Sequence, residues 1–84
     1  MTQENIKLDD YYKTSDLALA AVISIWFPIV VIDRTDPHKA EFLFKREEGL
    51  EDVVESFWKR ELKIDALGYF NQLKALKARL YERE

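Results

Sequence analysis

The sequence has no cysteine, two glycines, two prolines and a single histidine among 84 residues. The absence of cysteine excludes disulfides and thiolate chemistry and agrees with a reducing compartment, so we expect the protein in the cytoplasm. The sequence also lacks a glycine-rich phosphate-binding loop. The lone histidine, His38, lacks the partners that a general base or metal ligand needs, and we predict an exposed turn residue. We therefore expect no enzyme, no catalytic residues, no metal site and no cofactor.

Only one long stretch lacks charge, the sixteen residues LALAAVISIWFPIVVI at 17–32. As a helix it would reach about 24 Å, at about 1.5 Å per residue, which is short of the roughly 30 Å hydrocarbon core of a bilayer. Pro28 would break such a helix, and the flanking residues Asp16 and Asp33 are acidic where membrane-proximal loops favour Lys and Arg. The preceding residues lack the pattern of a signal peptide. We predict no membrane segment.

The apolar residues suffice for a core, since 48% of the chain is hydrophobic and 35% is charged. A chain of this length is too short for two domains, so we predict one compact α+β domain over 11–84. Residues 1–10 are predicted to be a flexible segment or to add an edge strand. The apolar run is predicted to split into a helix up to about Ile25 and a strand from Ile29. Thr14 or Ser15 would be the helix N-cap, with Asp16 in the first turn.

The predicted first helix and first strand are apolar nearly all round, so we expect the rest of the domain to cover both of them. Residues 35–39 then predict a turn and a return strand over 40–46, with Phe42 and Phe44 on one face. A middle helix follows, whose apolar residues recur at helical spacing: Leu50, Val53, Val54, Phe57 and Trp58. Asp65 would cap a last helix over 66–82, with a predicted buried stripe of Tyr69, Phe70, Leu73, Leu76 and Leu80. The predicted order is helix, β-hairpin, helix, helix (αββαα).

The charges are unevenly distributed along the chain. Residues 1–57 carry six basic and twelve acidic residues, whereas residues 58–84 carry seven basic and four acidic ones. This pattern makes nucleic-acid binding one hypothesis, with a basic surface over 59–79. Its candidate ligands are Arg60, Lys63, Lys74 and Lys77. The net charge of −3 and a pI near 5.2 argue against nucleic-acid binding. In addition, the basic residues can instead pair with the acidic middle helix.

Protein interaction or self-assembly is the hypothesis that we favour from the sequence. A two-stranded hairpin is marginal alone and has open edges, so a strand with two apolar faces suits a second copy or a partner strand. Large aromatic residues are enriched in interface cores. A homodimer would also complete a core that 84 residues only partly close. The candidate interface residues are Trp26, Phe27, Ile29, Val31 and Trp58. No small-molecule substrate is evident.

Several segments match the pattern of a known family: YYKTSDLALAA at 11–21, the hairpin end FLFK, ESFWKRE in the middle helix and the terminal FNQLKALKARLY. Together they resemble a small uncharacterised domain family of bacteria, archaea and their viruses, over residues 11–81. Its members tend to carry a glycine near the end of the first helix, where this chain has residues 24–26, so the link to the hairpin is expected to differ. The resemblance implies a viral or mobile-element setting and no particular activity.

Overall fold

The computed structural model describes residues 10–82, which fold into three helices packed on a three-stranded sheet. The elements are β1 (Tyr11–Thr14), α1 (Leu17–Ile23), β2 (Ile29–Asp36), β3 (Lys39–Lys45), α2 (Leu50–Trp58) and α3 (Ala66–Tyr81). The predicted α+β class and the order helix, hairpin, helix, helix are confirmed. One strand, β1, was not predicted. The prediction for residues 1–10 lies, apart from Asp10, outside the described residues.

The sheet is antiparallel, with β3 between β1 and β2. In β1, Tyr12 lies opposite Phe44 and Thr14 lies opposite Phe42. The carbonyl of Asp10 accepts a hydrogen bond from the Arg46 N–H at 2.9 Å, which extends this pairing by one residue. Tyrosine and threonine both favour strands, so a local signal for β1 was present in the sequence.

The second pairing, between β2 and β3, is less regular. Ile29 lies opposite Phe44 and Val31 lies opposite Leu43, so β2 carries one extra residue, Val30, at this point. A second register shift falls between Asp33 and Asp36. β2 and β1 are the two edges of the sheet.

The core lies on the sheet face that carries Phe42 and Phe44, both of which are fully buried. All three helices contribute to this core, which confirms the predicted inward face of the return strand. Its buried members are Leu19, Ala20, Ala21, Ile23, Phe42, Phe44, Leu50 and Leu76. The opposite face of the sheet carries none of these buried side chains, so it is open in the described part of the chain.

The residue that caps the start of α1 differs from the prediction. Asp16 is the N-cap, and its carboxylate accepts a hydrogen bond from the Leu19 N–H at 3.1 Å. The prediction of Thr14 or Ser15 was wrong because Thr14 is the last residue of β1 and its hydroxyl accepts from the Asp16 N–H instead. The predicted cap of α3 is confirmed, since the Asp65 carboxylate accepts from the Gly68 N–H at 2.7 Å.

Two predictions of burial were also wrong. Phe70 is 56% exposed, because it lies one residue, and so about 100° of helix rotation, from Tyr69 on the inward side. The apolar strand β2 is covered on one side only: Ile29 and Ile32 pack against the core, whereas Val30 and Val31 are each 47% exposed. The exposed valines lie in β2, which is an edge strand of the sheet.

Candidate interaction surfaces

The described residues form two exposed surfaces and one groove that could serve as functional sites. Among residues 10–82 no group of three His, Cys, Asp or Glu side chains is arranged to hold a metal ion. His38 is an exposed residue of the two-residue turn between β2 and β3, as predicted, and its N–H donates to the Asp36 carboxylate at 2.9 Å. No helix in this part of the chain has both the length and the apolar character to cross a bilayer.

The open face of the sheet is the first surface. Strand alternation places alternate residues of β3 on this side, opposite to Phe42 and Phe44. Lys13, Leu43 and Val31 lie side by side across the three strands, and Tyr11 lies opposite Lys45. We call this surface the outer sheet face, and it comprises Tyr11, Lys13, Val31, Asp33, Lys39, Glu41, Leu43 and Lys45. It combines a small apolar centre with charged residues on both sides.

The charges of the outer sheet face are partly fixed. Lys13 Nζ lies 3.6 Å from Glu41 Oε1 across the β1–β3 pair. Asp33 accepts hydrogen bonds from the hydroxyl of Thr35 at 2.6 Å and from its N–H at 2.9 Å. These two bonds stabilise the ionised carboxylate and lower the pKa of Asp33 below its ordinary value. This corner of the face therefore stays negative at neutral pH.

The solvent side of α3 is the second surface. Side chains at i, i+3 or i+4 spacing form a continuous row along it, which we call the outer stripe of α3: Leu67, Phe70, Lys74, Lys77 and Tyr81. Leu67 and Tyr81 are even more exposed than Phe70, at 68% and 73%. Within residues 10–82 neither lysine forms an ion pair. The stripe thus presents two unpaired positive charges between exposed rings.

The acidic side of α2 is paired with other basic residues. Arg46 forms an ion pair with Glu51, and Lys59 Nζ lies 3.3 Å from Glu55 one turn away. The Arg46 guanidinium also lies 5.6 Å from the centre of the Tyr12 ring. Burial raises the pKa of the Tyr12 hydroxyl despite this nearby positive charge. Within the basic segment 59–79, Lys59 is therefore the residue whose charge the acidic helix α2 neutralises.

A groove between α1, α2 and α3 is the third feature. Its volume is about 340 Å³, and it is lined by Val22, Phe57, Arg60, Leu62, Ile64 and Tyr69. Arg60 follows α2 with a φ of 62°, in the left-handed region. Its N–H donates to the Phe57 carbonyl at 3.1 Å, and the Glu61 N–H donates to the Ser56 carbonyl at 3.0 Å. This is a Schellman motif with arginine where glycine is usual.

The part of the chain that contains the outer sheet face, the outer stripe of α3 and the groove matches a family model. Residues 9–82 match the family described as Domain of unknown function (DUF5659). The chain belongs to this family. The predicted membership of an uncharacterised domain family is therefore confirmed. No curated protein and no solved structure matches the chain.

In this DUF5659 domain the predicted interface residues separate into two groups. Trp26, Val31 and Trp58 are exposed. The Trp58 ring packs edge-on against the Phe57 ring, with 5.0 Å between the ring centres. Phe27 and Ile29 instead pack against the core. Of this set only Val31 belongs to the outer sheet face.

The predicted nucleic-acid ligands of the DUF5659 domain also separate. Lys74 and Lys77 lie one turn apart on α3, and Lys63 is exposed in the link between α2 and α3. Arg60 lines the groove beside Tyr69, which packs inward. The sequence analysis missed Tyr11 on the sheet and the exposure of Leu67 and Phe70 on α3. Tyr81 was predicted to offer an exposed ring beside the basic surface, and it is exposed. Counting a second helical stripe, about 100° round the helix from the buried one, would have found Leu67 and Phe70.

Proposed function

We propose that this DUF5659 domain is a non-catalytic protein-interaction module that forms a homodimer through its outer sheet face. The observation that carries the proposal is that, within residues 10–82, the helices pack on one face of the sheet. The other face presents Val31 and Leu43 at its centre, and the extra residue Val30 is half exposed beside them. Apolar side chains on an uncovered sheet face are the feature that sheet-to-sheet packing buries.

Charge complementarity favours a second copy as the partner. Along β3 the outward residues read Lys39, Glu41, Leu43, Lys45. A twofold axis at Leu43, across the strands, would place Leu43 against its own counterpart and Lys45 opposite Glu41 of the second copy. Lys13 would face its counterpart, but it is already beside Glu41 of its own chain. Two pairs of opposite charge would then flank an apolar centre.

The dimer is expected to be weak. Three strands about 4.8 Å apart make a narrow face, which buries less than the roughly 800 Å² per partner of a standard interface. Sedimentation analysis across a wide range of protein concentration is therefore the appropriate test. The proposal predicts a reversible monomer–dimer equilibrium and no larger species.

Variants identify the face. Val31→Glu should weaken dimerisation strongly, because it places a charge at the apolar centre. Leu67→Glu is the matched control, since it makes the same kind of change at an exposed residue of α3 outside the face. Lys45→Glu should weaken dimerisation, and adding Glu41→Lys should restore it. Equal association of Val31→Glu and Leu67→Glu would exclude this interface.

A second candidate function is nucleic-acid binding along the outer stripe of α3. It is favoured by the two unpaired lysines, Lys74 and Lys77, between the exposed rings of Phe70 and Tyr81. Lysines can contact phosphates while rings stack on bases. The net charge of −3 opposes binding, so affinity is expected only at low salt.

Fluorescence polarisation with a single-stranded oligonucleotide tests this candidate. Lys74→Ala and Lys77→Ala should each reduce the slope of log affinity against log salt by about 0.7. Lys45→Ala, at the end of β3 away from the β2–β3 turn, is the control and should leave the slope unchanged. Arg60→Gln and Lys63→Gln would show whether the two other predicted ligands take part. A wild-type protein that binds no oligonucleotide at low salt would exclude the candidate.

The setting forms part of the proposal. The absence of cysteine supports a reducing compartment such as the cytoplasm. The resemblance of residues 11–81 to a family of bacteria, archaea and their viruses supports a viral or mobile-element origin.

A further inference from the structure

The groove between the helices is open to solvent and mainly apolar. Its walls come from α1, α2, α3 and the link between the last two, and five of its six lining residues are apolar or aromatic. Val22 is 3% exposed, so it forms the floor. A volume of about 340 Å³ lies at the lower end of the range of roughly 300–1,000 Å³ for ligand pockets. A small apolar molecule would fit such a groove.

Arg60 is the one charged residue in the lining of this groove. It is exposed, so it lies at the rim, and within residues 10–82 it forms no ion pair. Its backbone adopts a left-handed conformation that costs a non-glycine residue free energy. Residues that break a local rule of this kind are concentrated at functional sites. A ligand with a negative charge would account for an arginine at this position.

We propose that the groove binds a small apolar carboxylate of the medium-chain fatty-acid type. The acyl chain would pack against Val22, Phe57 and Tyr69, and the carboxylate would pair with the Arg60 guanidinium at the rim. Arginine and carboxylate match each other in geometry and can form two parallel hydrogen bonds. The site goes beyond the proposed function, because none of its residues belongs to the outer sheet face or to the outer stripe of α3.

Titration of the ¹⁵N-labelled protein with octanoate, followed by amide chemical shifts, tests the proposal. Octanoate should shift the amides of Val22, Leu62 and Ile64 to saturation. Octan-1-ol, which keeps the chain without the charge, should bind about tenfold or more weakly, because a hydrogen bond to a charged group contributes about 1.5–3 kcal/mol. Acetate, which keeps the charge without the chain, should not bind. No saturable shift with octanoate would overturn the proposal.

Arg60 variants separate the role of the side chain from folding. Arg60→Gly removes the guanidinium and relieves the left-handed backbone, so the protein should stay folded while octanoate affinity falls about tenfold or more to that of octan-1-ol. Arg60→Gln should lose the same affinity, and Arg60→Lys should keep only part of it, because an ammonium group keeps the charge but cannot form the two parallel hydrogen bonds. Lys63→Gln, a base of the same link outside the groove lining, is the control. Unchanged octanoate affinity in Arg60→Gly would overturn the proposal.

Discussion

The side-chain amide of Gln72 donates a hydrogen bond to the backbone carbonyl of Ser24 at 3.0 Å. Ser24 is the C-cap of α1, where carbonyl groups have no partner within the helix. The bond joins α3 to the end of α1 across 48 residues of sequence and is partly buried. The hydroxyl of Ser24 donates to the Ala21 carbonyl at 2.8 Å, which satisfies a second group at this end.

Gln72→Ala should therefore lower the free energy of unfolding by about 0.5–1.5 kcal/mol, because the Ser24 carbonyl loses its donor. Asn71→Ala is the matched control, since Asn71 is exposed and alanine is the better helix former. Urea denaturation of both variants checks the prediction. Equal stability of the two variants would mean that the bond contributes nothing.

Arg60→Gly should raise the free energy of unfolding by about 0.5–1 kcal/mol. The left-handed conformation costs a non-glycine residue about 1–2 kcal/mol, and the greater freedom of glycine in the unfolded chain offsets part of this gain. Lys59→Gly is the control and should be destabilising, because Lys59 has an ordinary φ of −81°. Thermal unfolding of both proteins measures the difference, and a destabilised Arg60→Gly would contradict the prediction.

Leu76→Ala should lower the free energy of unfolding by about 2–5 kcal/mol, since Leu76 is 3% exposed and its removal leaves a cavity. Phe57→Ala and Leu73→Ala should lose free energy in the lower part of that range, because both residues are only partly buried. Lys74→Ala, on the outer stripe, should change stability by less than about 0.5 kcal/mol. If denaturant titration showed Lys74→Ala to be as damaging as Leu76→Ala, the inward face of α3 would be misassigned.

Thr35→Val should raise the pKa of Asp33 part of the way back to its ordinary value, because it removes the hydroxyl bond and keeps the N–H bond. A carboxyl whose pKa is lowered in the folded state stabilises the fold above its unfolded pKa. That contribution is lost as the pH falls through the folded pKa. A pH titration of the Asp33 carboxyl carbon by NMR tests this, with Thr14→Val as a control, because the Thr14 hydroxyl bonds to the Asp16 N–H and not to Asp33. An unchanged pKa of Asp33 in Thr35→Val would mean that the Thr35 hydroxyl is not what lowers it.

Periodicity predicted most of the fold. Alternation identified Phe42 and Phe44 as the inward residues of β3, and helical spacing located α2 and α3 because their buried stripes are regular. The Asp65 cap was predictable because a capping carboxylate acts on residues that are close in sequence. These are features that a local pattern determines.

Most of the errors arose where a residue depends on distant partners. β1 was missed because its pairing with β3 joins residues far apart, such as Thr14 and Phe42. The same strand removed Thr14 from the helix start and left Asp16 as the cap. Phe70 was assigned to the core by its apolar character, although helix geometry directs it outward. Of the candidate surfaces, the sequence indicated Val31, Lys74, Lys77 and Arg60, whereas the groove required the tertiary arrangement of three helices.

The irregular pairing of β2 has a consequence for solubility. Ile29, Val30, Val31 and Ile32 form an uncharged β-branched run, the kind of segment that stacks into amyloid when it lies on a straight, open edge. The extra residue at Val30 and the second register shift interrupt the row of N–H and C=O groups that an incoming strand would need. At the other edge, β1 spans four residues in the described part of the chain. We therefore expect the β2 edge to resist growth by strand addition, which would let a small protein carry an aggregation-prone segment at its surface.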